Sequence, residues 1–287
     1  MENKVTDKDL KYIIEEVIKR LITLTEGIDV DDYDNVIMTD KHERLVDTSI
    51  ANNPTILTDF VPNINVWSIF KRKDDDWGDG NPLLYALKGE KGYKLRNPRK
   101  VYDRIEQIVR KFFEDKDDID ITIAVPSKNR LNMIFANTVA NYCKNPKYID
   151  NVLVKMSTEE VYDYVRQPSS AFRKFYKTFY GQKIALLKEY FKRMKDGYFQ
   201  FHKIPDMEMR RLIEHTIKLS DKFYGQYIDA INGKHVLIID DSLSLGQTIK
   251  ECCEIIATSY TPKTISVLTL FSPLYCEGGT ELKNIKK

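Results

Sequence analysis

The chain has no long apolar run. Stretches such as Val236-Leu237-Ile238-Ile239 fall far short of the roughly 20 residues a membrane helix needs. No N-terminal apolar segment resembles a secretory leader, so a cytoplasmic protein with no membrane partner is expected. Metal-binding residue types are also scarce: there are four Cys and four His, and the His are scattered. Cys252 and Cys253 are neighbours, Cys143 falls on a different apolar stripe and Cys276 stands near the end. That spacing excludes the usual zinc patterns, so reduced core thiols are expected and no metal is assigned to Cys or His. No internal repeat or low-complexity tract interrupts the chain. Strong net charge is missing as well, the formal balance being only +2.

That small balance conceals two opposed segments. Residues 1–60 hold seven Lys/Arg against fourteen Asp/Glu, a balance of −7. Residues 166–203 hold ten against two, a balance of +8. The two can dock on each other, within a protomer or across a homodimer; alternatively the basic one faces a polyanion. At 287 residues and 42% hydrophobic content, the chain suits one large soluble domain, or one domain with sizeable additions.

The stretch from Val236 to Thr248 organises the rest. Four apolar residues read as a strand buried on both faces, the kind found in parallel sheets. Asp240 and Asp241 close it. Ser242, Leu243, Ser244, Leu245 and Gly246 then form a turn, with Gly246 where a backbone bends tightly or approaches a ligand. Gln247 and Thr248 open a helix, with Ile249, Cys252, Cys253 and Ile256 on one stripe. A loop that feeds a helix N-terminus is an anion site, because unpaired N–H groups and the positive dipole end both face it. Ser244 and Thr248 can add hydroxyl donors. Two carboxylates repel a phosphate but accept hydrogen bonds from sugar hydroxyls or hold hydrated magnesium. The stretch therefore suits a ligand with a phosphate at one end and hydroxyls or a cation beside it.

The pattern of four apolar residues, two acids, two variable residues, a hydroxyl residue, one more residue, Gly, a variable residue and Thr resembles the phosphoribosyl pyrophosphate (PRPP) motif of type I phosphoribosyltransferases. The resemblance implies that Asp240 and Asp241 hold the ribose hydroxyls and that the loop Ser242–Thr248 holds the 5-phosphate. Ser242 stands where the family usually has an aliphatic residue, and Leu245 where it usually has Thr or Ser.

A second strand-loop-helix unit precedes it. Ile119–Val125 reads as a strand, Pro126 to Arg130 as a loop, and Leu131, Ile134, Phe135, Val139, Tyr142 and Cys143 mark an amphipathic helix. The loop sets two cations at a strand's C-terminal end, where open α/β sheets bind ligands. The resemblance gives Ser127, Lys128, Asn129 and Arg130 the pyrophosphate contact. A looser similarity to competence-protein ComF-type members lies in the apolar-Leu87-Lys88 segment.

Elsewhere, a helix is expected from Thr6 to about Leu24, an acidic irregular stretch over 28–65, and a strand at Val66–Phe70 whose hairpin partner lies across the charged turn 71–80. Helices are expected at Asn81–Lys88 and about Pro98–Phe113, and strands at Val152–Met156 and Thr264–Phe271. Ser157-Thr158-Glu159-Glu160 is a capping box. Residues 157–230 are long for a crossover and read as inserted helices, roughly Ser169–Tyr180, Lys183–Lys195 and Asp206–Tyr224. Their cations interleave with aromatics, as in single-stranded nucleic-acid binders. Phe172, Phe175, Tyr176 and Phe179 nevertheless share one stripe, which favours an amphipathic cap.

The expected fold is α/β, a mostly parallel sheet flanked by helices, with an N-terminal extension over 1–65 and a transferase-like domain over 66–287. The resemblance implies an enzyme, a pentosyltransferase acting on PRPP and a nitrogenous base with Mg2+. In that family the insertion would be the mobile lid, and its rings, or Phe271 at the end of the last strand, would stack the base. Two other readings remain: a non-catalytic regulator that binds a nucleotide or PRPP, and a protein acting on nucleic acid through 166–203.

Overall fold

A computed structural model describes residues 26–73, 81–114, 116, 118–143, 147–166, 186, 189–193, 199, 204, 213, 215–221, 225–243 and 246–273. The chain divides into two compact units. The first takes Met1–Asp117, Asp241–Leu245 and Leu268–Lys287, and the second Asp118–Asp240 and Gly246–Val267. Both combine mixed β-sheet with helices packed on it.

In the first unit, β1 (Gly27–Val30) and β2 (Asn35–Thr39) form an antiparallel hairpin. Its turn is an Asp31 device: the carboxylate accepts N–H bonds from Tyr33 and Asn35, both at 2.9 Å, while Asp34 takes the left-handed φ of 59°. Bonds from the Asn35 side chain and backbone hold the Asp31 carboxyl below its usual range. Next come β3 (Val46–Asp47), β4 (Thr55–Val61), β5 (Ile64–Arg72), α1 (Pro82–Lys88), β6 (Lys94–Leu95) and α2 (Pro98–Glu114). β6 joins β2 in parallel. β5 pairs antiparallel with β3 and β4, and also borders β12 (Thr264–Phe271), where the Ser68 and Thr269 hydroxyls meet at 2.7 Å.

The stretch 28–65 is thus not irregular; it carries β1 to β4. Asp and Asn turns create short strands that an apolar pattern search passes over. The hairpin partner of β5 is β4, reached through Asn63 at φ 60°, and not a segment beyond the charged turn. Val101, Ile105, Ile108, Val109 and Phe112 of α2 are buried as their spacing predicts, and Phe112 meets Trp67 edge-on at 5.3 Å. Phe271 is fully buried with its ring 5.7 Å from Phe70, so it is a core residue and not a base-stacking one.

The second unit contains β7 (Ile121–Ala124), α3 (Leu131–Ala140), β8 (Tyr148–Ile149), β9 (Leu153–Lys155), α4 (Thr158–Arg166), β10 (Ile217–Leu219), α5 (Ile228–Ile231), β11 (His235–Ser242) and α6 (Gln247–Ser259). The strand order is β12-β11-β7-β8, with β7 parallel to both β11 and β8. Ile238 and Ile239 sit opposite Ile123 and Ala124. The segment expected as the next core strand, 152–156, instead pairs antiparallel with β10 in a separate two-stranded sheet. Asn151, left-handed at φ 58°, separates it from the short core strand β8. β10 also falls inside the helix expected over 206–224. Of the helix expected over Lys183–Lys195, residues 186 and 189–193 are described and are helical, with Phe191 buried. The helix expected over Ser169–Tyr180, the helix from Thr6 and the chain beyond Pro273 lie outside the described residues.

The capping box forms: Glu160 N–H donates to Ser157 Oγ at 3.1 Å, and Ser157 N–H to Glu160 Oε2 at 2.7 Å. On α3, Phe135 and Val139 are buried but Ile134 is 54% exposed, which narrows the expected stripe. Cys143, Cys252 and Cys253 are buried free thiols. Burial pushes Cys143 and Cys253 up to about 12, so both stay protonated and unreactive.

Candidate functional site

Within the second unit, β7 and β11 run side by side in the same direction, and their C-terminal ends release the two loops singled out above. The chain leaves β7 through α3 for β8 on one side of the pair. It leaves β11 through α6 for β12 on the other. Open α/β sheets take ligands beyond the carboxyl ends of strands where the order reverses in this way.

On the β7 side, Ser127 and Asn129 are half-buried, and Lys128 and Arg130 are exposed. The Asn129 side chain accepts the Leu131 N–H at 3.0 Å, and the Arg130 carbonyl accepts the Ile134 N–H at 2.9 Å, so the loop leads directly into α3. On the β11 side, Asp240 is half-buried and its Oδ1 accepts a 2.7 Å bond from Asn132 Nδ2. The same nitrogen donates to the Val125 carbonyl at 3.0 Å. Both contacts lie inside the second unit. Asp240 is therefore tied to the two ends of the 126–131 loop.

Strand alternation turns Asp241 the other way. It belongs to the first unit and is 6% exposed. Its Oδ2 pairs with Lys88 Nζ at 3.0 Å, and its Oδ1 accepts the Ser242 hydroxyl at 2.9 Å. Ser242 is half-buried. Leu243 is 1% exposed and its N–H is spent on the Phe271 carbonyl at 3.1 Å, so its place is in the core. Ser244 and Leu245 lie outside the described residues. Gly246, expected where the backbone bends tightly or approaches a ligand, takes a left-handed φ of 70° and opens α6 with no side-chain cap and no acid in its first turn. Gln247 is exposed and Thr248 half-buried on that turn. The helix end thus keeps the positive character an anion needs.

Three further polar residues, given no site role by the sequence, are buried or paired within their own units. Asn132 sits on the same helical stripe as Phe135, Ala136 and Val139, all buried. Lys88 is the last residue of α1, ahead of the left-handed Gly89. Glu251, 5% exposed on α6, accepts N–H bonds from Thr216 at 2.6 Å and Ile217 at 2.8 Å, and the Thr216 hydroxyl at 3.0 Å. Burial raises its carboxyl above the usual value despite those bonds. For Asn132 and Glu251, the available signal was a polar residue on or beside an apolar helical stripe.

The second unit also has a cleft of about 600 Å³ whose walls include Glu160, Asp163, Tyr164, His215, Lys218 and Ile255. Lys218 is paired with Glu160 at 2.7 Å, and the Tyr164 and His215 rings lie 5.1 Å apart. No group of three or more His, Cys, Asp or Glu able to hold a metal occurs among the described residues. None of the helices described is long and apolar enough to cross a membrane. No known family model matches the chain, and no curated protein is similar to it.

Proposed function

We propose that this chain is a phosphoribosyltransferase of the type I kind, with the mostly parallel sheet core of that family around β7 and β11. It transfers ribosyl 5-phosphate from PRPP to a nitrogenous base, or runs the reverse pyrophosphorolysis. The observation that carries the reading is the pairing of β7 with β11 at a reversal of strand order. An acid-ended loop leading to an uncapped helix and a loop with two cations leave neighbouring strand ends.

In this reading Asp240 and Asp241 accept the ribose hydroxyls. The first-turn N–H groups of α6, with Thr248 and the 242–247 loop, hold the 5-phosphate. Ser127, Lys128, Asn129 and Arg130 receive the pyrophosphate. The bond from the anomeric carbon to pyrophosphate oxygen breaks with its electron pair going to pyrophosphate, and a bond from that carbon to base nitrogen forms. Lys128 and Arg130 offset the charge that grows on the leaving group. The acids next to the phosphate loop suit Mg2+, which typically binds through one or two carboxylates plus substrate phosphates. When bound, it would neutralise pyrophosphate charge. The basic-aromatic segment 166–203 would exclude water, since hydrolysis competes. A cytoplasmic setting and a homodimer joined through the acidic and basic segments belong to the same reading.

Calorimetry with PRPP and Mg2+ tests it. Saturable binding by the wild type, lost in the double variant Asp240→Asn, Asp241→Asn, is the expected result. A folded wild type that takes up no PRPP would remove the transferase reading.

A further inference from the structure

The cleft of about 600 Å³ draws its walls from α4, β10 and α6, all within the second unit. It is separate from the loop that opens α6. Ile255 and Thr258 on its wall stand seven and ten residues beyond Thr248, about 10 and 15 Å along the helix. On α4, Glu160, Asp163 and Tyr164 share one face, at i, i+3 and i+4. His215 stands just ahead of β10. The buried Glu251 carboxylate fastens the start of that strand to α6 by accepting the Thr216 and Ile217 N–H groups. The wall that carries His215 is therefore built before any ligand arrives.

The Tyr164 ring is 57% exposed, and the exposed His215 ring lies 5.1 Å from it, tilted by 51°. Two adjoining rings left in water inside a cleft are a surface that a flat ligand can cover. Beside them, Asp163 is an exposed carboxylate with no hydrogen bond or ion pair among the described residues. The lysine of the cleft is already engaged: Lys218 Nζ meets Glu160 at 2.7 Å and Asp221 at 3.2 Å. With its one lysine neutralised in this way and a free acid left over, the lining disfavours a phosphate. Met156, Ile217 and Ile255 supply apolar wall. We propose that this cleft binds an uncharged nucleobase, free or as a nucleoside, by stacking on Tyr164 and His215 and by paired N–H donation to Asp163. A base is flat and stacks on aromatic side chains, and a carboxylate accepts two parallel N–H bonds. Guanine carries two such donors side by side, N1–H and the 2-amino group, so it matches Asp163 best. A guanidinium also matches Asp163 but is too small to cover both rings and the apolar wall. The cleft falls within the usual volume range of small-ligand sites. None of these residues takes part in the transferase reading, so the cleft stands or falls by itself.

Calorimetry on the full chain with guanosine, inosine and free arginine is the test. Guanosine should bind saturably. Inosine, which lacks the 2-amino donor, should bind roughly tenfold more weakly, the scale of a paired contact reduced to a single one. Tyr164→Ala should weaken guanosine binding roughly tenfold, as when a base loses a stacking ring. Asp163→Asn should weaken it as well and bring guanosine and inosine close to equal. Both side chains are exposed, so the variants should fold, and thermal unfolding checks that they do. A folded wild type with no saturable guanosine binding, equal affinity in wild type and both variants, or arginine binding tighter than guanosine would overturn the proposal. Guanosine binding lost in Asp240→Asn but kept in Tyr164→Ala would put the nucleoside at the phosphate loop and overturn it too. Uptake of PRPP is a separate measurement that none of these outcomes decides.

Discussion

Lys88 and Asp241 make a nearly buried ion pair, with side chains 16% and 9% exposed. Removing one member of such a pair strands the other charge, which typically costs more than the pair itself contributes. Lys88→Met should therefore lower stability by about 3 kcal/mol in urea unfolding. Adding Asp241→Asn to it should recover a good part of the loss, because the stranded charge is gone. Glu251 invites a pH experiment. Its folded carboxyl lies above its ordinary value of 4.5 because burial disfavours the charge. The native state then binds more protons than the unfolded chain between 4.5 and that raised value, so this residue makes stability fall as pH rises through the window. Glu251→Gln cannot ionise. The stability difference between wild type and this variant should shift in the variant's favour as pH rises from about 4.5, and unfolding free energies measured across pH 4 to 8 check the sign. A flat difference would mean that Glu251 titrates alike in both states.

At the scale of elements, what could be read in advance depended on how the information is stored. α2 and α6 were legible because buried residues recur at a fixed period, and β12 because it is a continuous apolar run, buried over its last five residues. The capping box of α4 was legible because it is local. Ser157→Ala should cost about 1 kcal/mol in urea unfolding, since the orphan Glu160 N–H loses its acceptor. Strand partners were not legible. Nothing in Val152-Leu153-Val154-Lys155-Met156 says that it pairs antiparallel with β10 rather than joining the core beside β7. Pairing is decided by contacts with Ile217–Leu219, some sixty residues away. The strands between 28 and 61 were missed for a related reason: two to seven residues bounded by Asp and Asn turns make too short a window for a period to emerge.

For the whole molecule, two readings of the basic-aromatic segment predict different responses to salt. A cap that turns its rings inward leaves little specific surface for a strand, so titration with single-stranded DNA or RNA should give no saturable binding at physiological salt. A nucleic-acid enzyme would show tight binding that weakens steeply as salt rises, in proportion to the phosphates it neutralises. Fluorescence anisotropy at two salt concentrations separates them.

The sequence by itself determined the α/β class, the strand-loop-helix stretch around Asp240 and Asp241, the glycine turn at Gly246, and the buried thiols. Each is written in the order and spacing of nearby residues. Only the tertiary structure decided that β7 and β11 are parallel neighbours, that Asn132 reaches Asp240 across 108 positions, and that Lys88 occupies Asp241 while Phe271 is core. Those depend on which distant segments meet, and a polar residue on a helical stripe reveals that it needs a partner without revealing which one.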